Sequence, residues 1–281
     1  MRPLLAVDGD SLAHRAFHAL PSSIKGVEGR QSNMLVGFAN MLVSLWESER
    51  PRTLFVGFDS IGSPTYRHEL LPGYQSGRDF PPELTTQLDL LPEWVEALGF
   101  RCAKQPGYEA DDFVAAAAYA EEERGGETLV VTSDRDLFQL ATDRTTILLP
   151  RRGVSELERV GPAEVRERYG VDPVQVPDFI ALRCDTADKI PGAKGIGTQR
   201  AATILRTHET LDAAIEAGVF REQADDLRLY LRLTRLQYHA PIPELPDAEP
   251  DWAGGARLAE AWGLGNLAGR LAERAGGGAP S

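Results

Sequence analysis

The chain has 281 residues, is 42% hydrophobic and carries a formal net charge of −12. That length suits one large or two smaller domains, and the charge argues against the broad basic footprint of a nonspecific nucleic-acid binder. No apolar run approaches the roughly 18 residues a membrane-spanning helix needs, and Cys102 and Cys184 lie too far apart for a metal knuckle, which suits a reducing cytosol.

Asp8 and Asp10 stand where a signal peptide would need its apolar centre, so a cytoplasmic protein is expected. Leu4–Val7 reads as a first strand running into Asp8. Met34–Trp46 carries apolar residues at helical spacing and leads to a second strand, 54–58, which runs into Asp59. Residues 60–82 interleave Gly, Pro, Tyr and Arg, as a mobile loop or arch beside an active edge would. A helix over 83–98, a short strand near 100–104, and an Ala-rich helix from Glu109 to Glu123 follow. The next strand, 129–133, runs into Asp134 and Asp136.

From about 162 the strand signals stop and helices are expected over 162–169, 173–184, 198–207, 210–217 and 221–236. A Pro/acid linker covers 240–255. One amphipathic helix is expected over 256–274, then a disordered tail over 276–281. No internal repeat is visible.

Short β-rich apolar runs between helices indicate parallel strands of an α/β sheet, whose ligand site lies beyond the strands' carboxyl ends. Nine carboxylates in five clusters should therefore converge: Asp8; Asp59; Glu109, Asp111 and Asp112; Asp134 and Asp136; Asp185 and Asp188. Bare anions cannot share a cleft without raising one another's pKa or recruiting a cation, and hard divalent metals take oxygen ligands. A metal-dependent phosphate enzyme follows. Any one of these acids could instead cap a helix, where the helix dipole favours acids anyway. His14, His18 and His68 lack metal-ligand spacing and read as structural.

Of 30 basic residues only four are lysines: Lys25, Lys104, Lys189 and Lys194. The last opens Lys194-Gly195-Ile196-Gly197-Thr198, a turn into a helix bearing Arg200. Such a turn exposes backbone N–H groups that can grip a DNA phosphate without reading bases. It can equally be a tight C-capping turn.

The stretches Val7-Asp8-Gly9, Arg15–Leu20, Phe58-Asp59, Tyr66–Glu69, Gly107–Asp112, Ser133–Leu137, Asp185-x-x-Asp188 and Gly195–Gly197 together resemble the 5′→3′ exonuclease and flap-endonuclease family over roughly residues 4–240. The resemblance implies a PIN-like α/β domain over 1–160 with a mostly parallel sheet and a helical arch at about 60–98. An all-α helix-hairpin-helix domain over 161–239 would follow, then the linker, helix and tail of 240–281. It implies two magnesium or manganese ions, the first held by Asp8, Asp59, Glu109, Asp111 and Asp112, the second by Asp134, Asp136, Asp185 and Asp188. Arg15, Arg67 and Arg78 match positions that hold phosphates near the cut. Tyr74 would stack a frayed base, and both Tyr66 and Tyr74 could equally pack the arch. The hairpin would grip duplex DNA around a potassium ion, and a monomer acting on DNA with 5′ ends or flaps is implied.

Three positions depart from the family pattern. Gln75 replaces the lysine that follows the arch tyrosine, and Cys184 and Lys189 replace a glycine and an asparagine. Lys189, next to Asp188, would either weaken attraction for the second metal or return a cation near the phosphate, and it is expected to compensate in part for Gln75. Two alternatives stay open: a catalytically weakened binder of branched DNA, motivated by Gln75, and a haloacid-dehalogenase-type phosphohydrolase, motivated by Asp8-Gly9-Asp10.

Overall fold

The computed structural model describes residues 2–77 and 79–277; Arg78 and the 278–281 part of the tail lie outside the described residues. The first strand, β1 (Leu4–Asp8), runs into helix α1 (Gly9–Ala19), followed by α2 (Asn33–Glu49) and β2 (Thr53–Phe58). The arch segment holds α3 (Tyr66–Leu70), α4 (Pro82–Leu88) and α5 (Leu91–Ala97). Then come β3 (Arg101–Lys104), α6 (Ala110–Glu123), β4 (Thr128–Val131), β5 (Thr145–Arg152) and β6 (Glu156–Val160). The helical part comprises α7 (Pro162–Tyr169), α8 (Val176–Arg183), α9 (Thr198–His208), α10 (Leu211–Glu216) and α11 (Ala224–Thr234); α12 (Trp252–Ala261) and α13 (Gly265–Ala275) end the described chain.

The strands form one sheet in the order β3-β2-β1-β4-β5-β6. Every pairing is parallel except β5 with β6. Apolar runs without alternation are what two covered faces require. Leu4, Ala6, Phe55, Val130 and Ile147 face a cluster with α6 and the helical part, including Phe179, Leu205 and Leu227. Their neighbours Leu5, Val7, Val56, Val131 and Leu148 face α1, α2, α4 and α5 on the other side. The helical part thus shares a core with the sheet rather than enclosing one of its own.

Four sequence-based expectations change. The single helix over 83–98 is two helices, α4 and α5, because Pro92 within the first turn of α5 lacks the N–H a continuous helix would use. The β5–β6 hairpin fills a stretch where no element was expected; Pro150 is accommodated there at a register shift between Pro150 and Arg152. The 60–82 stretch contains a short helix, α3, capped by Thr65 and His68.

At the C-terminus the helix expected over 256–274 is two, broken at Gly263 with φ +71°. The linker before them straps the molecule: the Arg52 guanidinium donates to the Leu245 carbonyl at 2.7 Å, and Ala248 N–H to the Arg52 carbonyl at 3.0 Å. Leu264, Leu267 and Leu271 then join the α2/α5 core, and Trp262 stacks on Trp94 at 5.4 Å.

Candidate active site

Beyond the carboxyl ends of β1, β2 and β4 lies a cavity of about 490 Å³. Asp8, Asp59, Glu109, Asp111, Asp134, Asp136, Asp185 and Asp188 all line it. Asp8 ends β1, caps α1 by accepting the Ser11 N–H at 3.0 Å, and accepts the Thr132 hydroxyl at 2.8 Å. Asp59 follows β2 and accepts the Ala110 N–H at 2.7 Å, which draws the first turn of α6, with Glu109 and Asp111, onto the strand. Gly57 permits that approach, since a Cβ there would sit 2.5 Å from the Ala110 carbonyl oxygen.

The Thr132 hydroxyl accepts the Asp134 N–H at 2.9 Å, and Asp134 accepts the Asp136 N–H at 2.8 Å. From the helical part, Asp185 and Asp188 arrive on one turn. Asp185 Oδ1 accepts the N–H groups of Ala187 and Asp188, and two backbone hydrogen bonds between Asp185 and Ile190 close the turn.

Burial, against the pull of the Ser11 and Thr132 hydrogen bonds and with the charges of Asp59 and Asp134, pushes the Asp8 carboxyl up to about 7. Burial, opposed by Arg67 and reinforced by Asp59, brings Glu109 to about 7 as well. Asp10, Asp111 and Asp136 are likewise held well above the usual carboxylate range, by burial first and then by neighbouring acids. Asp111 Oδ1 is buried without a hydrogen-bond partner. An all-oxygen donor set with an orphaned carboxylate oxygen fits a hard divalent cation. Among the described residues no three such side chains close around one point, which is compatible with magnesium, held by one or two carboxylates plus water and substrate phosphates.

The ninth expected ligand does not reach the cavity. Asp112 is fully buried, takes both Arg67 Nη groups at 2.9 Å, and accepts the N–H groups of Glu109 and Gln237. Arg67 is equally buried: its Nε donates to the Leu233 carbonyl at 2.9 Å, and Glu109 lies 3.2 Å away. Its burial opposes the charge, but Asp111, Glu109 and Asp112 hold it firmly protonated. It serves as a counter-ion beneath the acids, at the cavity wall, rather than as an exposed phosphate clamp.

Tyr66 donates its hydroxyl to the Arg235 carbonyl at 3.0 Å and lies against Arg67, tying α3 to the end of α11. Tyr74 is buried, its hydroxyl 3.2 Å from both Glu109 and Asp188, so its ring offers no face to a base. Gln75 Nε2 donates to the Tyr74 hydroxyl at 3.0 Å and to Asp188 Oδ1 at 3.1 Å.

Lys189 is exposed and absent from the cavity wall, so the expected replacement of the missing cation is not made in this arrangement. The backbone explains the family's usual residues at two of the departures. Cys184 has φ +78° and ψ 152°, and Lys189 has φ +61°; glycine and asparagine tolerate such angles best.

Arg15 donates to the Ser133 hydroxyl at 2.9 Å beside the cavity. Arg78 lies outside the described residues. Besides Arg67, the wall carries the cations Arg135 and Arg183, neither expected from the sequence, although each lies within two residues of a motif acid. Asp10 was also missed as a wall residue. It is two residues from Asp8 and accepts the Asp59 N–H at 2.7 Å.

The hairpin stands between α8 and α9. Lys194, Gly195, Gly197, Thr198 and Arg200 are exposed and Ile196 is half-buried against the core. Gly195 has φ +73°, and a Cβ at Gly195 or Gly197 would meet nothing within 4 Å, so the backbone is open to close approach. Arg200 folds back onto the Gly195 carbonyl at 3.1 Å, and no side chain caps α9.

Two family descriptions match the chain: "5'-3' exonuclease, N-terminal resolvase-like domain" over residues 3–170 and "5'-3' exonuclease, C-terminal SAM fold" over 171–251. DNA polymerase I of Mycobacterium tuberculosis strain H37Rv is 39% identical over 255 residues, covering 87% of this chain and 28% of the polymerase. Thermostable DNA polymerase I of Thermus thermophilus is 35% identical over 277 residues, covering 94% and 32%. The chain therefore spans about a third or less of these relatives' length.

The crystal structure of T5 D15 protein co-crystallized with metal ions shares the fold with a TM-score of 0.71 at 21% identity, covering 97% of this chain and 99% of that one. The catalytic core of Rad2 in complex with DNA substrate has a TM-score of 0.60 at 16% identity, covering 97% and 90%.

Proposed function

We propose that this cavity hydrolyses DNA phosphodiesters near 5′ ends, as a 5′→3′ exonuclease and flap endonuclease acting in replication and repair, on a plain premise: the chain belongs to the 5′→3′ exonuclease family. The observation that carries the proposal is the convergence of acids from β1, β2, α6, the turn after β4 and the turn after α8 on one cavity, with Asp111 Oδ1 left unpartnered. Asp8, Asp59, Glu109 and Asp111 would surround one divalent ion, one or two of them binding it directly and the rest through water, and Asp134, Asp136, Asp185 and Asp188 would do the same for a second. Magnesium is the ion proposed and manganese its substitute. When bound, such ions lower the pKa of water and neutralise charge on attacking and leaving oxygens.

This chain's own residues do the rest. Arg135 and Arg183 offer fixed positive charge to phosphate oxygens at the wall. Arg67 pins Glu109, and the Asp185–Ile190 turn presents both of its carboxylates together. The 194–200 hairpin offers open backbone and two cations to a duplex phosphate, with a potassium ion completing the grip, which is contact without base readout. A monomer acting in the cytoplasm on DNA with 5′ ends or flaps is the form proposed. Among the described residues no helix is long and apolar enough to cross a membrane.

A divalent-metal titration with product-length readout on flap, nicked and blunt DNA tests this. Short 5′ products appearing with magnesium support the nuclease. Tight flap binding with no cleavage at any magnesium or manganese concentration supports the weakened binder instead. The phosphohydrolase reading needs Asp10 free to serve as an acid, whereas one oxygen of Asp10 holds the Asp59 N–H. Loss of phosphomonoester hydrolysis in Asp10→Asn, with DNA left intact, would restore it.

A further inference from the structure

A second cavity, about 590 Å³, adjoins the first across a partition to which Asp59, Ile61, Gln75, Phe80 and Glu109 contribute on both sides. Its remaining wall differs in chemistry: it is built largely of hydroxyl and apolar groups, among them Ser60, Ser63, Thr65, Thr85, Pro64 and Tyr108. Metal and phosphate chemistry accounts for acids and arginines, but not for two apolar side chains set in the partition. Ile61 is 37% exposed there, and Phe80 is half-buried with its ring 5.1 Å from that of His14 on α1. Tyr74, the aromatic residue the sequence suggested for base stacking, is spent on hydrogen bonds to Glu109 and Asp188.

We propose that the second cavity receives the base of the nucleotide on the 5′ side of the phosphate being cut, with Phe80 as its stacking platform, backed by His14 and flanked by Ile61. The inference rests on the nuclease reading and extends it to one nucleotide of the substrate. A phosphate held against the acids of the first cavity has a flanking nucleotide at the partition that the two cavities share, and the 5′ one is assigned to it. A volume of about 590 Å³ is ample for a nucleoside. Asp79, the acid of this cavity that is not among the proposed metal ligands, disfavours a second phosphate there and leaves an uncharged ring as the better occupant. A π-face reads no sequence, so the platform serves any 5′ end. Phe80 is therefore a substrate-binding residue that fixes how the 5′ strand is laid across the site.

The test compares kcat and KM on two magnesium-containing flap reactions. One uses a normal flap, the other an identical flap with an abasic analogue at the nucleotide 5′ to the cut. Wild type should lose about tenfold in kcat/KM on the abasic flap, the scale of one base–aromatic stack. Phe80→Leu keeps an apolar side chain against His14 but removes the ring. It should lose about tenfold on the normal flap and nothing further on the abasic one, because the two deletions remove the same contact. Phe80→Trp should retain both the activity and the preference for a base.

Equal losses for Phe80→Leu on both substrates would make Phe80 a packing residue and overturn the proposal, as would wild type indifferent to the missing base. Wild type unable to cut either flap would instead sink the nuclease reading beneath it.

Discussion

Metal-free stability should fall as pH rises, and magnesium should reverse the trend. The Asp8 carboxyl titrates near 3.8 when unfolded and near 7 in the fold. A folded carboxyl pKa above the unfolded one means that the folded state holds a proton the unfolded chain releases. Stability is then greatest below about pH 4 and is lost progressively up to about pH 7. At about 1.4 kcal/mol per pH unit, the part lost between pH 5 and pH 8 is roughly 3 kcal/mol. Glu109, raised from 4.5 to about 7, acts in the same direction.

For a chain of this size 1 kcal/mol moves Tm by about 2–4 °C, so Asp8 alone should lower the metal-free Tm by roughly 6–12 °C across that window. A cation that binds only the folded, ionised cluster opposes this by RT ln(1 + [L]/Kd), or about 2.7 kcal/mol at a hundredfold excess over Kd. Thermal melts in EDTA and in 10 mM magnesium at pH 5, 6, 7 and 8 measure both slopes, with Asp8→Asn as the control that makes the first shallower while Glu109 keeps its sign. A metal-free Tm that stays level or climbs from pH 5 to pH 8 would refute the reasoning.

Four further outcomes follow from the same structure. Cys184→Gly should raise Tm by a few degrees: ψ 152° at φ +78° is essentially glycine's territory and costs a cysteine on the order of 1–3 kcal/mol, partly offset by glycine's unfolded-state freedom. Gln75→Lys should raise turnover on flap DNA while Lys189→Asn leaves it unchanged, because only residue 75 reaches Asp188 and the cavity; steady-state kinetics of the two variants decide. Arg67→Met should cost roughly 3–5 kcal/mol by urea titration, since it strands Asp112 as a buried, uncompensated carboxylate. Leu267→Ala on α13 should cost roughly 2–4 kcal/mol although it lies beyond the matched family region, and an unchanged urea midpoint would show that the C-terminal hairpin is not part of the core.

Much of the architecture is local and therefore written in short stretches of chain. An apolar run ending in an acid specifies a strand and puts its carboxylate at the sheet's active edge. Asp8, Asp59 and Asp134 reach the cavity for that reason, and the turn spacing of Asp185 and Asp188 suffices to present both. The ordered motifs were enough to name the family. Neighbouring residues on a helix point about 100° apart, however, and no pattern within the chain says which of Asp111 and Asp112 meets the cavity. The packing of α6 against Arg67 and the 233–237 segment settles it, leaving Asp111 at the wall and Asp112 buried.

Arg67, Tyr66 and Tyr74 look like surface groups of a polar loop until contacts more than 30 residues distant in sequence bury or occupy them. The same holds for Arg135, Arg183 and Phe80, whose place in a wall depends on how the helical part and the arch close over the sheet. Periodicity and motif spacing report which residues can share a strand, helix or turn. Burial and electrostatic partnership arise only when distant segments meet, so the acids were foreseeable while their counter-ions were not.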